Sequence, residues 1–259
     1  MKTKRFTILI VLSLVMILPF INGCLKKGEE DPFISIYTRK ARVTGEWTTQ
    51  TYYSDVKTTL GTGEANQVRT ILDIQDTEWK ETYYILGTDS VRETKGTILQ
   101  YKYNFDKDGY FTSVYEYQIV ERKFDEDEGT DTTITSTYKR EFNGTWNFLH
   151  GVDSYSNKER LALVIEGEKY LEIVSKYLLT EDDEGAGTSL PTTRIAISKR
   201  YANGEMSTIW ILNSLKNKEM LMNQNINAFY VETVNGVGTP FTNVGYQEQT
   251  LIQGEAVVE

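Results

Sequence analysis

The chain contains very little cysteine and histidine: one cysteine (Cys24) and one histidine (His150) among 259 residues. A single cysteine excludes a disulfide within the chain, and one histidine cannot complete the nitrogen and sulfur ligand set of a zinc site. Asp153 and Ser154 lie close to His150 in sequence, but a short loop does not supply the separated partners of a catalytic triad. We therefore expect no catalytic residue, no metal and no cofactor, and we predict that the protein is not an enzyme.

Positive charge is also scarce, because 28 Lys and Arg face 37 Asp and Glu, which gives a formal net charge of −9 at pH 7. An acidic surface repels a phosphate backbone, so nucleic acid is not an expected partner. No glycine-rich phosphate loop lies between a predicted strand and a helix. Nucleotide chemistry is therefore not expected either.

The first 24 residues have the pattern of an export signal. Lys2, Lys4 and Arg5 form a basic start, and residues 6–20 are fifteen residues without a charge, short for a membrane span and typical of a secretory signal. Ile21-Asn22-Gly23-Cys24 resembles the lipobox of bacterial lipoproteins. This resemblance implies cleavage before Cys24 and acylation of that cysteine, for example with palmitate.

We therefore expect a lipoprotein signal peptide at residues 1–23, followed by an acylated N-terminus and tether at residues 24–38. The 236 residues that remain carry a formal charge of −12, since three basic residues are removed with the signal. Several acyl chains make membrane anchoring stable, whereas one chain is marginal. The expected location is the cell envelope, with a lipid anchor in the outer membrane at its periplasmic or its surface face.

The rest of the chain is predicted to form β-strands. The 17 Tyr, 10 Phe and 4 Trp favour strands, and Leu99, Tyr101, Tyr103 and Phe105 alternate with polar residues. Other alternating runs are Phe111–Ile119, Ile134–Phe142, Leu161–Ile165, Leu171–Leu179, Ile195–Ile197 and Trp210–Leu212. We predict an all-β fold, an antiparallel up-and-down β-barrel of about 8–10 strands over residues 39–232. Residues 233–259 are a C-terminal extension that either adds a last strand or stays disordered.

Turn signals separate these runs. Asn203-Gly204 is typical of a hairpin turn, because both residues tolerate positive φ. Asp106-Lys107-Asp108-Gly109 begins like a calcium-binding loop, but Tyr117 stands where that loop needs a carboxylate. We therefore interpret residues 106–109 as a hairpin turn.

Short segments spread over residues 31–222 resemble the lipocalin-like lipoproteins of Bacteroidota. They are Asp31-Pro32-Phe33, Arg39–Arg42, Gly45-Glu46-Trp47, Phe105–Gly109, Gly144–Phe148, Asn157–Leu161 and Trp210–Met220. In lipocalins the Trp of a Gly-x-Trp motif on the first strand closes one end of the barrel, which implies this role for Gly45 and Trp47; Gly144 and Trp146 repeat the motif. The later lipocalin motifs, a Thr-Asp-Tyr turn and an Arg that stacks on this Trp, have no match in the sequence, and nothing selects between Arg194 and Arg200 as a source of the stacking cation. From the residues alone, both tryptophans are expected to fill the core.

Two functions remain open at this point. In the first, which the resemblance favours, the barrel binds a small apolar or amphipathic ligand through tyrosines on its inner face. The candidate residues are Tyr101, Tyr103, Tyr115, Tyr117 and Tyr138. In the second, the barrel is filled, and a structural or accessory surface lipoprotein contacts envelope proteins or glycans through its loops. An integral membrane barrel is less compatible, because outward positions such as Lys102, Glu116 and Lys139 are charged.

Overall fold

The computed structural model describes residues 39–61, 67–125, 130–149, 159–180, 188–202, 204–216, 218–234 and 237–254. The predictions for the signal peptide, Cys24, the tether, His150 and Asn203 lie outside these residues. The described chain has one helix, α1 (Arg39–Val43), and twelve strands. The strands are β1 (Gly45–Leu60), β2 (Gln67–Gln75), β3 (Glu78–Ile85), β4 (Val91–Phe105), β5 (Tyr110–Asp125), β6 (Thr130–Leu149), β7 (Glu159–Thr180), β8 (Thr188–Ser189), β9 (Thr193–Arg200), β10 (Ser207–Leu215), β11 (Glu219–Val234) and β12 (Val237–Gln253).

The strands form a closed antiparallel barrel, which confirms the predicted fold class. Ten strands follow one another in the order β10-β11-β12-β1-β2-β3-β4-β5-β6-β7, and β7 pairs with β10 to close the ring. β12 lies between β1 and β11, so the C-terminal extension adds a last strand, one of the two alternatives open from the sequence, and the barrel extends past residue 232 to Gln253. Gly238, Pro240 and Gly245 interrupt the alternation of this strand.

The two ends of the barrel differ, and we call them the closed half and the open half. In the closed half, residues 45–48 of β1 pair directly with β4, and residues 159–164 of β7 pair with β10. In the open half, the β2–β3 hairpin lies between β1 and β4, and β9 replaces β10 as the partner of β7. β10 and β11 stop pairing at Asn223. Within the described residues, no strand bridges β9 and β11, so the open half is split between them.

The closed half is filled by a hydrophobic core. Trp47, Leu161, Met220 and Leu251 are 0 % exposed, and Phe105 and Trp146 are buried beside them. Alternating strand residues supply these side chains, since every second residue points inward. Packed interiors leave few voids larger than a water molecule, so we expect this half to have no space for a ligand.

Helix α1 covers the end of this core. Val43 is 0 % exposed, and its carbonyl oxygen accepts a hydrogen bond from Trp47 Nε1 at 2.7 Å. The buried Arg42 guanidinium donates to the Leu215 carbonyl, and Arg39 forms an ion pair with Glu159 at 2.7 Å. Both arginines therefore hold the helix against strands of the barrel rim.

Candidate binding site in the open half

The structure brings the five candidate tyrosines together on the inner face of β4, β5 and β6. Their ring centroids form a continuous series, with Tyr103 5.7 Å from Tyr101, Tyr101 4.8 Å from Tyr115, Tyr115 5.2 Å from Tyr117, and Tyr117 5.0 Å from Tyr138. We call these residues the tyrosine row. It begins in the core and reaches into the open half.

The lower end of the tyrosine row is part of the core. Tyr103 is 7 % exposed and stacks on Phe105 at 5.8 Å. The Tyr101 and Tyr103 hydroxyls are 3.1 Å apart, and burial raises the pKa of Tyr101 well above its usual range. Tyr103 therefore packs in the core, and its role as a ligand-binding residue stays a prediction.

The upper end of the tyrosine row is half-buried and lines the open half. Tyr117 stacks on Trp79 at 4.6 Å, and Trp79 Nε1 donates to the Tyr115 hydroxyl at 2.6 Å. Burial raises the pKa of both Tyr115 and Tyr117, so these phenols stay neutral at ordinary pH. Sequence reasoning missed Trp79, because Glu81 lies between Trp79 and Tyr83 on the same face of β3 and interrupts the apolar pattern.

Next to Tyr138 the inner wall becomes polar and forms a cleft of about 170 Å³. Its lining residues, which we call the polar cleft, are Arg140, Glu168, Tyr170, Ile197 and Lys199. The guanidinium of Arg140 lies over the Tyr170 ring at 5.5 Å. Within the described residues, neither Arg140 nor Lys199 forms an ion pair. The charged groups of Arg140 and Lys199 can therefore bind an anionic or hydrogen-bond-accepting group of a ligand.

The carboxylates near the polar cleft already accept hydrogen bonds from phenols. Tyr170 donates to Glu172 at 2.9 Å, and Tyr201 donates to Glu168. Burial, reinforced by the bond to Glu172, raises the pKa of Tyr170 to about 12. The wall therefore offers cations, neutral phenols and carboxylates side by side.

A bulge in β7 explains why sequence reasoning missed most of the polar cleft. Asn143 pairs with Gly167 and Gly144 with Ile165, so Glu166 is an extra residue that reverses the alternation. Tyr170 consequently faces inward, beside Arg140, whereas the apolar run from Leu171 to Leu179 faces outward. A period-two pattern read straight through the bulge assigns these faces the wrong way round.

A layer of neutral polar side chains separates the core from the open half. The Tyr52 hydroxyl donates to Gln247 Oε1 at 2.7 Å, and Gln247 Nε2 donates to Gln224 Oε1 at 2.6 Å. Thr208 also donates to Gln224 Oε1, at 2.6 Å. Below them Gln249 is 0 % exposed, and its side-chain amide lies beside the Tyr103 hydroxyl. This layer is the floor of the open half.

The glycines and tryptophans of the two Gly-x-Trp motifs lie in the closed half. Gly45 has a φ of +131°, which glycine adopts readily. A Cβ atom on Gly144 would lie 1.9 Å from the Val164 carbonyl oxygen, so only glycine fits there. The cation–π contacts of the described residues involve Lys40, Arg69 and Arg140, and neither Arg194 nor Arg200 lies over Trp47.

The turn at residues 106–109 is a hairpin turn, as predicted. The Asp106 amide donates to the Tyr110 carbonyl at 2.7 Å, and Gly109 has a φ of +98°. Trp146 Nε1 donates to the Asp106 carbonyl at 2.9 Å, which fixes the turn against the core. Within the described residues, no group of three or more His, Cys, Asp or Glu side chains could hold a metal ion.

The outer face of the same strands carries polar and charged residues. Lys102 pairs with Glu46 at 2.9 Å, and Lys139 pairs with Glu141 at 2.8 Å. The other outward positions expected from the sequence, Asn104, Glu116 and Gln118, lie on this face too. Such exposed pairs contribute little to stability, so they mainly mark the face that contacts water.

The fold and the site together define an antiparallel β-barrel with a filled closed half and a split open half. No protein-family model matches the chain, and no curated protein matches it. In the described ranges, no helix is long and apolar enough to cross a membrane. The functional argument therefore depends on the chemistry of the open half.

Proposed function

We propose that the protein is a lipid-anchored, non-enzymatic binding protein of the cell envelope, which holds a small amphipathic ligand against the inner wall of the open half. One observation carries this proposal. The half-buried rings of Tyr117 and Tyr138 share a wall with the unpaired cations Arg140 and Lys199. Ligand sites typically combine an apolar lining with a few polar groups that fix orientation.

The arrangement of this wall restricts the ligand. Its apolar part would contact Tyr117, Tyr138 and Ile197, and its polar end would enter the polar cleft. Arg140 presents several N–H donors in a fixed fork, and Glu168 and Tyr170 add hydrogen-bonding oxygens. The polar end of the ligand should therefore accept hydrogen bonds from Arg140, and it should also be compatible with the nearby carboxylate of Glu168. The core excludes the ligand from the closed half.

A second candidate function has its own support. The closed half is packed around Trp47, Leu161 and Met220, all 0 % exposed, as expected for a structural or accessory lipoprotein with a filled barrel. Such a protein would contact envelope proteins or glycans through its loops. It requires no ligand on the tyrosine row.

A binding measurement separates the two candidates. Anilinonaphthalene sulfonate is an amphipathic fluorescent probe with apolar rings and one anionic group. We expect Tyr138→Ala to weaken its binding to the full chain about tenfold, because an aromatic contact and its burial contribute on the order of 1.5 kcal/mol.

Tyr177→Ala is the matched control, because Tyr177 is 39 % exposed on the outer face of β7. This control should leave probe binding unchanged, and circular dichroism should show that both variants fold. Equal effects of the two substitutions, or no binding by the parent protein, would reject the first candidate and favour the second.

The proposed lipid anchor has a separate test. Cys24→Ser removes the acylation site, so the variant should not incorporate a labelled fatty acid in cells that export it, whereas the parent protein should. The parent protein should also require detergent for extraction. If the parent protein is unlabelled, or if the variant is labelled equally, the lipoprotein interpretation is wrong, whatever the result with the probe.

A further inference from the structure

The split in the open half leaves a long sheet edge on β11. Among the described strands, β11 pairs with β10 only as far as Asn223, and from Gln224 to Val234 it pairs only with β12. Along these eleven residues, the backbone N–H and C=O groups that point away from β12 have no described strand beside them. An unpaired edge of this kind is a template for another extended strand.

The sequence of this edge lacks the usual protection against pairing. Natural edges carry lysine, proline or a bulge. Residues 223–231 contain no charged residue and no proline, and the pairing of β11 with β12 runs without a bulge. Phe229 is 69 % exposed and Val231 is 53 % exposed. The edge thus carries no charge from Gln224 to Val231, has Glu232 near its end, and presents the exposed apolar side chains of Phe229 and Val231.

The opposite edge of the split is different. β9 pairs only with β7 among the described strands, and all eight of its residues are exposed. It carries Arg194, Lys199 and Arg200, which disfavour the addition of a strand. The edge of β11 is therefore the one suited to a partner.

We propose that β11 of one copy of this protein pairs antiparallel with β11 of a second copy. A two-fold antiparallel pair uses the same residues from both chains, so one contact satisfies both edges. Two chains of net charge −9 repel each other, and residues 224–231, which carry no charge, add nothing to that repulsion. The pair also places Phe229 and Val231 of both copies on one face of a joined sheet.

A cysteine scan tests this symmetry in the full chain. Asn225→Cys, Asn227→Cys and Phe229→Cys place thiols along the outer face of β11. In a two-fold pair, one residue lies nearest the axis and faces its own copy. Directly opposed residues in antiparallel strands are about 4.5–5.5 Å apart between Cα atoms, which suits a disulfide.

We therefore expect the yield of disulfide-linked dimer to peak at one position. If none of the three outward positions exceeds the control, Ile226→Cys and Ala228→Cys extend the scan to the inward residues between them. Leu99→Cys is the control, because Leu99 is 49 % exposed at a bulge of β4, away from the split. The parent chain, with Cys24 alone, gives the background. Yields no higher than that of Leu99→Cys at all five positions would overturn the proposal.

Phe229→Lys provides an independent test without thiols. Sedimentation equilibrium should show that it raises the dimer dissociation constant at least about tenfold, whereas Leu99→Lys should not change it. Circular dichroism should confirm that both variants are folded. A parent chain that stays monomeric at every concentration would reject the proposal.

A disulfide within one chain carrying both Ser198→Cys and Asn227→Cys would also reject the proposal, since it would show that β9 closes the split. Self-association that Phe229→Lys leaves unchanged would place the contact elsewhere on the surface. Binding of the amphipathic probe is read out separately, so neither result depends on the proposed ligand site.

Discussion

Trp47 joins helix α1 to the core of the closed half, and its truncation tests how that half is held together. The side chain is 0 % exposed, and a buried tryptophan removes about 200 Å² from water. At about 25 cal/mol per Å², this burial corresponds to roughly 5 kcal/mol, and measured truncations of buried aromatic residues cost about 3–5 kcal/mol. The bond from Trp47 Nε1 to the Val43 carbonyl contributes on the order of 1 kcal/mol of that loss.

We therefore expect Trp47→Ala to lower the free energy of unfolding by about 4 kcal/mol and the Tm by roughly 8–16 °C. Trp47→Phe retains most of the packing but leaves the Val43 carbonyl without its donor, so it should cost about 1–2 kcal/mol. Circular dichroism is the suitable assay, since the substitutions remove one of four tryptophans and would change the fluorescence directly.

Phe124→Ala is the control for Trp47, because Phe124 is 63 % exposed and should shift stability by no more than about 0.5 kcal/mol. An unfolding midpoint of Trp47→Ala equal to that of the parent would refute the reasoning. It would mean that α1 and Trp47 do not pack on the core. A loss in Trp47→Phe as large as in Trp47→Ala would show that the hydrogen bond, and not the packing, carries the effect.

Two further predictions concern the β7 bulge and the buried phenols. Gly144→Ala should lower the free energy of unfolding by about 3 kcal/mol or more, measured by denaturant unfolding, because the new Cβ would meet the Val164 backbone. Gly167→Ala should lower it less, because the new Cβ there meets only the flexible Asn143 side chain. Equal losses for the two variants would argue against the backbone clash. Burial raises the pKa of Tyr52 to about 12 in the folded protein, against about 10 in the unfolded chain. Below about pH 10 the phenol is neutral in both states, and the stability linked to this group is complete. As the pH rises from 10 to 12, only the unfolded chain loses the proton, so the free energy of unfolding falls by about 1.4 kcal/mol per pH unit. Tyr52→Phe should flatten that loss in alkaline unfolding measurements, and an unchanged slope would contradict the assignment.

The inner face of β4, β5 and β6 could be predicted because residues 101–142 keep strict alternation through two hairpins. Tyr115, Tyr117 and Tyr138 accordingly share a face, as the pattern requires. Their packing against Trp79 could not be predicted, because it depends on where the β2–β3 hairpin is inserted between β1 and β4.

The polar parts of the site were less accessible to sequence reasoning. The β7 bulge moves Tyr170 and Glu168 to the inner face, and a bulge leaves no clear mark in a hydrophobic pattern. Tyr52, Gln224 and Gln247 come from three distant segments, so their hydrogen bonds follow only from strand order. The split between β9 and β11 likewise depends on which strands pair, a property of the whole ring.

The pairing of β1 with β12 also has a consequence for folding. Trp47 lies opposite Gln253, and Thr49 lies opposite Leu251, so residues from nearly opposite ends of the sequence complete the same core. A growing chain cannot bury Trp47 fully until β12 has been made, and loop closure over such a distance slows folding. The barrel is therefore expected to close late, after β12 has been made.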